Sequence, residues 1–309
     1  MFGLRYHVAS LAAVFVALAV GILLGVAVSG ELTSVGEDAE RQNLEEDVDE
    51  LQQELEAARA QADAATAMGE GADELFTRAY PTLMDHRLEG RNVAVVFLGP
   101  ADGSARAEVE GALADADGGA PASVIALEVP VDGDDLQASL EDDELLASFA
   151  DEGGDFSDLG RELGRELVEA EETPLWDALA TRLVEERSGT ISNPMDSVVV
   201  VSSWTPPEEG DDGEGAATEA TASLMDGLVS GLDGTNVPVV GVASSGDPTE
   251  VIDFYRERGL SSVDNIDEPE GQLALALLLA GAEPGQYGLR DSATDGVIPP
   301  IEPVTTEGE

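Results

Sequence analysis

No cysteine and no lysine occur in this chain. Without thiols there is no disulfide, no thiolate nucleophile and no Cys-ligated metal site. Without a lysine amine, a Walker-type phosphate loop, a Schiff base and a Ser–Lys dyad are excluded as well. Histidine is nearly missing too, with His7 and His86 the only two.

Positive charge is scarce: 14 basic residues, all arginine, stand against 65 Asp and Glu, for a formal net charge of -51. Such a chain repels nucleic acid phosphates, and no basic stripe reverses the sign, so no nucleic acid partner is expected. Apolar runs recur along all 309 residues, which favours a folded domain with a carboxylated surface over disorder. At molar salt the Debye length falls to about 3 Å, so that surface stops repelling itself while keeping the protein soluble. A high-salt habitat is the expectation.

The one long uncharged run is Val8–Ser29, 22 residues in which Ser10 and Ser29 alone are polar. As a helix rising 1.5 Å per residue it would be about 33 Å long, enough for a hydrocarbon core of roughly 30 Å. That length favours a retained anchor over a cleaved signal, although Ala27-Val28-Ser29 is a passable small-x-small cleavage site. Arg5 precedes the run and acids follow it, which predicts a single-pass protein at the cell membrane, N-terminus cytoplasmic and C-terminal domain extracytoplasmic. Ala9, Ala13, Ala17, Gly21 and Gly25 recur every fourth residue, a ridge on which two membrane helices could pack, or simply the composition of an Ala- and Gly-rich span.

From Leu44 the chain reads `LEEDVDELQQELEAARAQADA`. Leu44, Val48, Leu51, Leu55, Ala58, Ala62 and Ala65 are spaced alternately by four and three, with Glu, Asp, Gln and Arg between them. This narrow seam predicts a coiled-coil stalk over about 31–70, paired as a parallel homodimer or a higher homo-oligomer because both chains leave the same membrane face. `GEGADE` ends it.

Beyond the stalk, `NVAVVFL`, `SVIALEV`, `SVVVVSSW` and `VPVVGVASS` are short β-branched runs separated by helical stretches. Runs apolar on both faces indicate a parallel sheet covered on both sides, a Rossmann-like α/β domain of about four strands over 71–290. `DLGRELGRELVEA` and `PLWDALATRLVEE` read as helices, as do about Thr218 to Leu232, `PTEVIDFYRERG` and `PEGQLALALLLAG`. `PPEEGDDGEGAA` from Pro206 carries five acids and no base, a solvated loop, and 291–309 reads as an acidic, Pro-rich tail.

The sites of chemistry are few. `GPADGS` at Gly99–Ser104 stands where a phosphate loop would, yet fits neither G-x-G-x-x-G nor the lysine-bearing loop, and reads as a tight connection with Ser104 as N-cap. `VASSGD` at Val242–Asp247 is not a G-x-S-x-G elbow, and a triad there would have only His86 to draw on. `TLMDHRL` sets Met84, Asp85 and His86 together, so Met84 and His86 are the candidate metal ligands, against a plain helix end before the first strand. The clusters `DGDD` and `EDDE` lack EF-hand spacing. No enzyme and no resident cofactor are expected.

The opening `LRYHVASLAAVFVALAVGILLG`, the acidic coiled coil and `SSVDNIDEPEGQLALALLLAGAEPGQYG` together resemble the MctB family of so-called copper transporters, in order and over nearly the full length. The resemblance implies copper transport, efflux or homeostasis at the cell envelope, with copper as the one metal it suggests. Some relatives are instead associated with cell separation beside a second membrane protein, which leaves an envelope scaffold as the other reading. One apolar helix encloses no transport path, so membrane lipid and a partner supplying such a path enter the expected set of contacts.

Overall fold

A computed structural model describes residues 48–150, 154–169, 172–189, 193–204 and 215–301. The expected membrane segment with its Ala/Gly ridge, Leu44 of the seam, most of the acidic loop after Pro206 and residues 302–309 lie outside these. Among the described residues no helix is long and apolar enough to cross a membrane.

The chain divides into two units, the first ending at Leu75 and the second beginning at Phe76. In the first, the described residues are helical, the start of α1 (48–84). Val48, Leu51 and Leu55 are 46%, 62% and 49% exposed. Ala58 and Ala62 are exposed too.

The second unit is built on a seven-stranded sheet ordered β3-β2-β1-β4-β5-β6-β7. Its strands are β1 (Val93–Leu98), β2 (Ser123–Leu127), β3 (Val184–Gly189), β4 (Ser197–Ser202), β5 (Val239–Val242), β6 (Ser261–Val263) and β7 (Gln286–Tyr287). All neighbours are parallel except β2 and β3. The four β-branched runs in the sequence are β1, β2, β4 and β5. Three more strands correct the expected count. The half-buried β3, `VEERSG`, lacks an apolar pattern, and β6 and β7 are too short to show a period. The sequence pattern carries the helix on through `VEE`, but α5 (Pro174–Leu183) stops at Leu183 and Val184 begins β3.

Every residue of β1 is buried because both faces are covered. Ala94, Val96 and Leu98 join a core completed by α3 (Gly133–Asp142), α4 (Ser157–Glu169), α5, α6 (Gly215–Asp233) and α7 (Thr249–Glu257). Val93, Val95 and Phe97 face α2 (Gly103–Asp115), α8 (Pro269–Leu279) and the end of α1. Alternation along a strand thus feeds two hydrophobic layers, the reason a parallel strand carries no polar face.

Helices α4 and α6 meet backbone to backbone through two small-residue ladders, Gly160 with Gly164 and Gly227 with Gly231. A Cβ at Gly160 would fall 2.7 Å from the Leu228 nitrogen, and one at Gly164 would fall 2.5 Å from the Leu228 carbonyl oxygen. At Gly241 in β5 the space of a side chain is taken by the Tyr255 ring. The Tyr255 hydroxyl accepts from the Ser202 amide at 2.7 Å and donates to the Val242 carbonyl at 3.2 Å, tying the ends of β4 and β5.

Residues 291–301, which begin the stretch read as a tail, turn back beside β7: Tyr287 bridges Gly296, and Ile298 packs on the second core.

Candidate functional site

In a sheet wound this way, the strand order reverses between the parallel neighbours β1 and β4, and ligands of such folds bind beyond the carboxyl ends of those strands. Here the protein's own groups fill part of that edge. Gly99, at φ 122, has the Ser203 hydroxyl where its Cβ would be. The Ser203 amide donates to the Leu98 carbonyl at 3.3 Å. The N-cap of α2 is Asp102, not Ser104 as the sequence suggested. Its carboxylate accepts from the Ser104 and Ala105 amides at 2.6 and 3.2 Å, the groups a phosphate would otherwise use.

The same edge is acidic. Burial first, and then the negative charges of Asp267, Asp102 and Asp247, raise the carboxyl pKa of Glu108, against the opposing bond from Ser244. The two serines of `VASSGD` are held by carboxylates: Ser244 Oγ donates to Glu108 at 3.3 Å and Ser245 Oγ to Asp267 at 2.5 Å. Arg290 spans the group and donates to the Ser244 carbonyl at 2.7 Å. An edge so furnished repels anions.

A second recess, a cleft of about 530 Å³, lies beside α4 and is lined by Leu145, Phe149, Arg165, Glu166 and Leu175 among others. Glu166 is buried to 9% exposure and accepts from the Leu175 amide at 3.0 and 3.2 Å, capping the start of α5. Burial pushes its carboxyl up to about 7, against the bond from Leu175.

The metal candidates of the sequence part company. Met84, the last residue of α1, is fully buried in the second core. His86, two residues on, is exposed and lies among carboxylates. Its Nδ1 is 3.1 Å from Glu89 Oε2 and 3.3 Å from Asp117 Oδ2, and its Nε2 is 3.6 Å from Asp85 Oδ1. The donor atoms of Asp85, His86 and Asp117 all lie within 4.8 Å of one another.

Two helix ends build this cluster. After α1 the chain turns through His86 at φ 58, and after α2 through Asp117 at φ 60. These are the left-handed positions where a helix commonly stops, and the only non-glycine ones among the described residues. The Leu88 amide donates to the Ala116 carbonyl at 2.8 Å and the His86 amide to Asp117 Oδ2 at 2.8 Å, fastening one helix end to the other. The sequence does not connect Asp117 with His86, because the two lie far apart along the chain. The one signal was `DGG`, a turn marker at the end of α2.

Compared with protein-family models, residues 1–298 match the family described as "Copper transport outer membrane protein, MctB". Comparison with curated proteins gives no match.

Proposed function

The chain belongs to the MctB family, and with it to a copper-related role at the envelope at the family level; on that premise we propose that it works in copper homeostasis as a membrane-anchored homodimer. The observation that supports this is the seam of α1. Val48, Leu51 and Leu55 repeat at heptad spacing on a helix that leaves them 46–62% exposed, an apolar stripe that pairing with a second copy would cover. The charge-free run Val8–Ser29 supplies the anchor, in a single pass with the α/β domain outside. The Gly21 and Gly25 ridge brings the two anchors together.

A channel is the less economical form of the copper role. A path for an ion through the bilayer needs inward-facing polar groups, and the anchor offers Ser10 and Ser29. The domain therefore acts on copper outside the membrane, or beside a partner that provides the path.

The test is a deletion strain grown over a copper series. Heightened copper sensitivity, restored by the full-length chain and not by one with Gly21 and Gly25 changed to leucine, is the expected result. Unchanged copper sensitivity together with a cell-separation defect would replace this reading with that of an envelope scaffold.

A further inference from the structure

The geometry points to a divalent copper site formed by His86 Nδ1, Asp117 and Glu89, with Asp85 beside the other ring nitrogen. That copper is the ion rests on the functional reading above; that an ion binds there rests on the arrangement alone.

The donor set decides the oxidation state. One imidazole and two or three carboxylates are borderline and hard ligands, which suit a divalent ion, and among first-row divalent ions copper(II) binds such sets most tightly. Copper(I) calls for thiolate or thioether ligands. The chain has no cysteine, and Met84, the neighbouring thioether, is fully buried in the core.

Spacing agrees with a shared ion. Two donors each about 2.0–2.2 Å from one ion stand roughly 2.8–4.2 Å apart, depending on the angle between them. The separations of 3.3 Å from Nδ1 to Asp117 and 3.1 Å from the same Nδ1 to Glu89 fall in that range. Since the two ring nitrogens point apart, Nδ1 binds the ion and Nε2 keeps Asp85 as its partner at 3.6 Å, the arrangement that fixes a ligating imidazole.

Rigidity comes from the backbone. The bonds Leu88 to Ala116 and His86 to Asp117 hold the two helix ends in register, so the donors from different helices need little ordering when the ion arrives. A histidine at φ 58 also costs conformational energy that glycine would avoid.

The experiment titrates the full-length chain, in detergent micelles, with copper(II) sulfate and follows it by electron paramagnetic resonance and calorimetry. Nitrogen hyperfine coupling separates an imidazole-bound ion from copper scattered over surface carboxylates. His86→Gly relieves the backbone and removes the ligand, so it should fold at least as well as the parent while losing the nitrogen coupling and at least about tenfold in affinity. His7→Ala should keep both. Asp117→Asn, which still accepts from the His86 amide and tolerates the left-handed turn, should also weaken binding about tenfold. Copper bound without nitrogen coupling, or coupling that survives His86→Gly, overturns the site even if the deletion strain is copper-sensitive. If that strain is indifferent to copper while His86→Gly abolishes the coupling, the divalent-ion site stands and copper as its physiological occupant is overturned.

Discussion

Gly164 of α4 presses so closely on Leu228 of α6 that a β-carbon at the glycine would lie 2.5 Å from the leucine carbonyl oxygen. Backbone cannot yield as a side-chain tip can. Gly164→Ala should therefore destabilise the domain by about 1–3 kcal/mol, as overpacked positions do. Gly111→Ala, on an exposed part of α2 with nothing within 4 Å, should be neutral or stabilise by up to about 1 kcal/mol. Denaturant unfolding of the two variants checks the contrast, and equal effects would show that the α4–α6 crossing is looser than this.

Glu166 links stability to pH. Its carboxyl sits at about 7 in the folded protein against an ordinary value near 4.3. Between those values the folded state holds a proton that the unfolded chain has released, so stability falls as pH rises through this window and levels off above it. Glu166→Gln mimics the protonated form and should flatten that fall, which amounts to on the order of 3 kcal/mol across the window. Unfolding midpoints of parent and variant at the two ends of the window test it, and parallel profiles would assign the slope elsewhere.

Tyr255→Phe leaves the buried Ser202 amide without its partner and should cost about 1–3 kcal/mol. The ring over Gly241 is retained, so thermal unfolding should shift while the near-ultraviolet spectrum of the folded state changes little.

The acid surface predicts a response to salt. With a net charge of -51, adding molar KCl should raise the unfolding midpoint, since self-repulsion is screened over about 3 Å. The exposed ion pairs, such as Arg182 with Asp135, work in the opposite sense but contribute under about 1 kcal/mol each. A midpoint indifferent to salt would contradict the dominance of repulsion.

Leu51→Asp with Leu55→Asp places charges in the seam of α1. Sedimentation in detergent should show loss of the proposed homodimer, with the thermal unfolding of the domain from Phe76 onward unchanged. A dimer that persists would move the interface off this stripe.

Composition and pattern alone established a good part of this protein. The missing cysteine and lysine removed whole classes of chemistry, and the β-branched runs marked the four central strands, because a strand buried on both faces must be apolar along most of its length. The heptad spacing of Val48, Leu51 and Leu55 was equally legible, since it is local and periodic. Tertiary structure decided the rest. Strand β3 carries too few apolar residues to announce itself and exists because β2 offers it an edge. Asp102 took the cap from Ser104 through a turn geometry that residue types do not fix. Met84 and His86 lie two residues apart, yet the end of α1 sends one into the core and the other to the surface. Asp117 reaches His86 only because α1 and α2 end side by side, a juxtaposition made by packing both helices on the same face of the sheet.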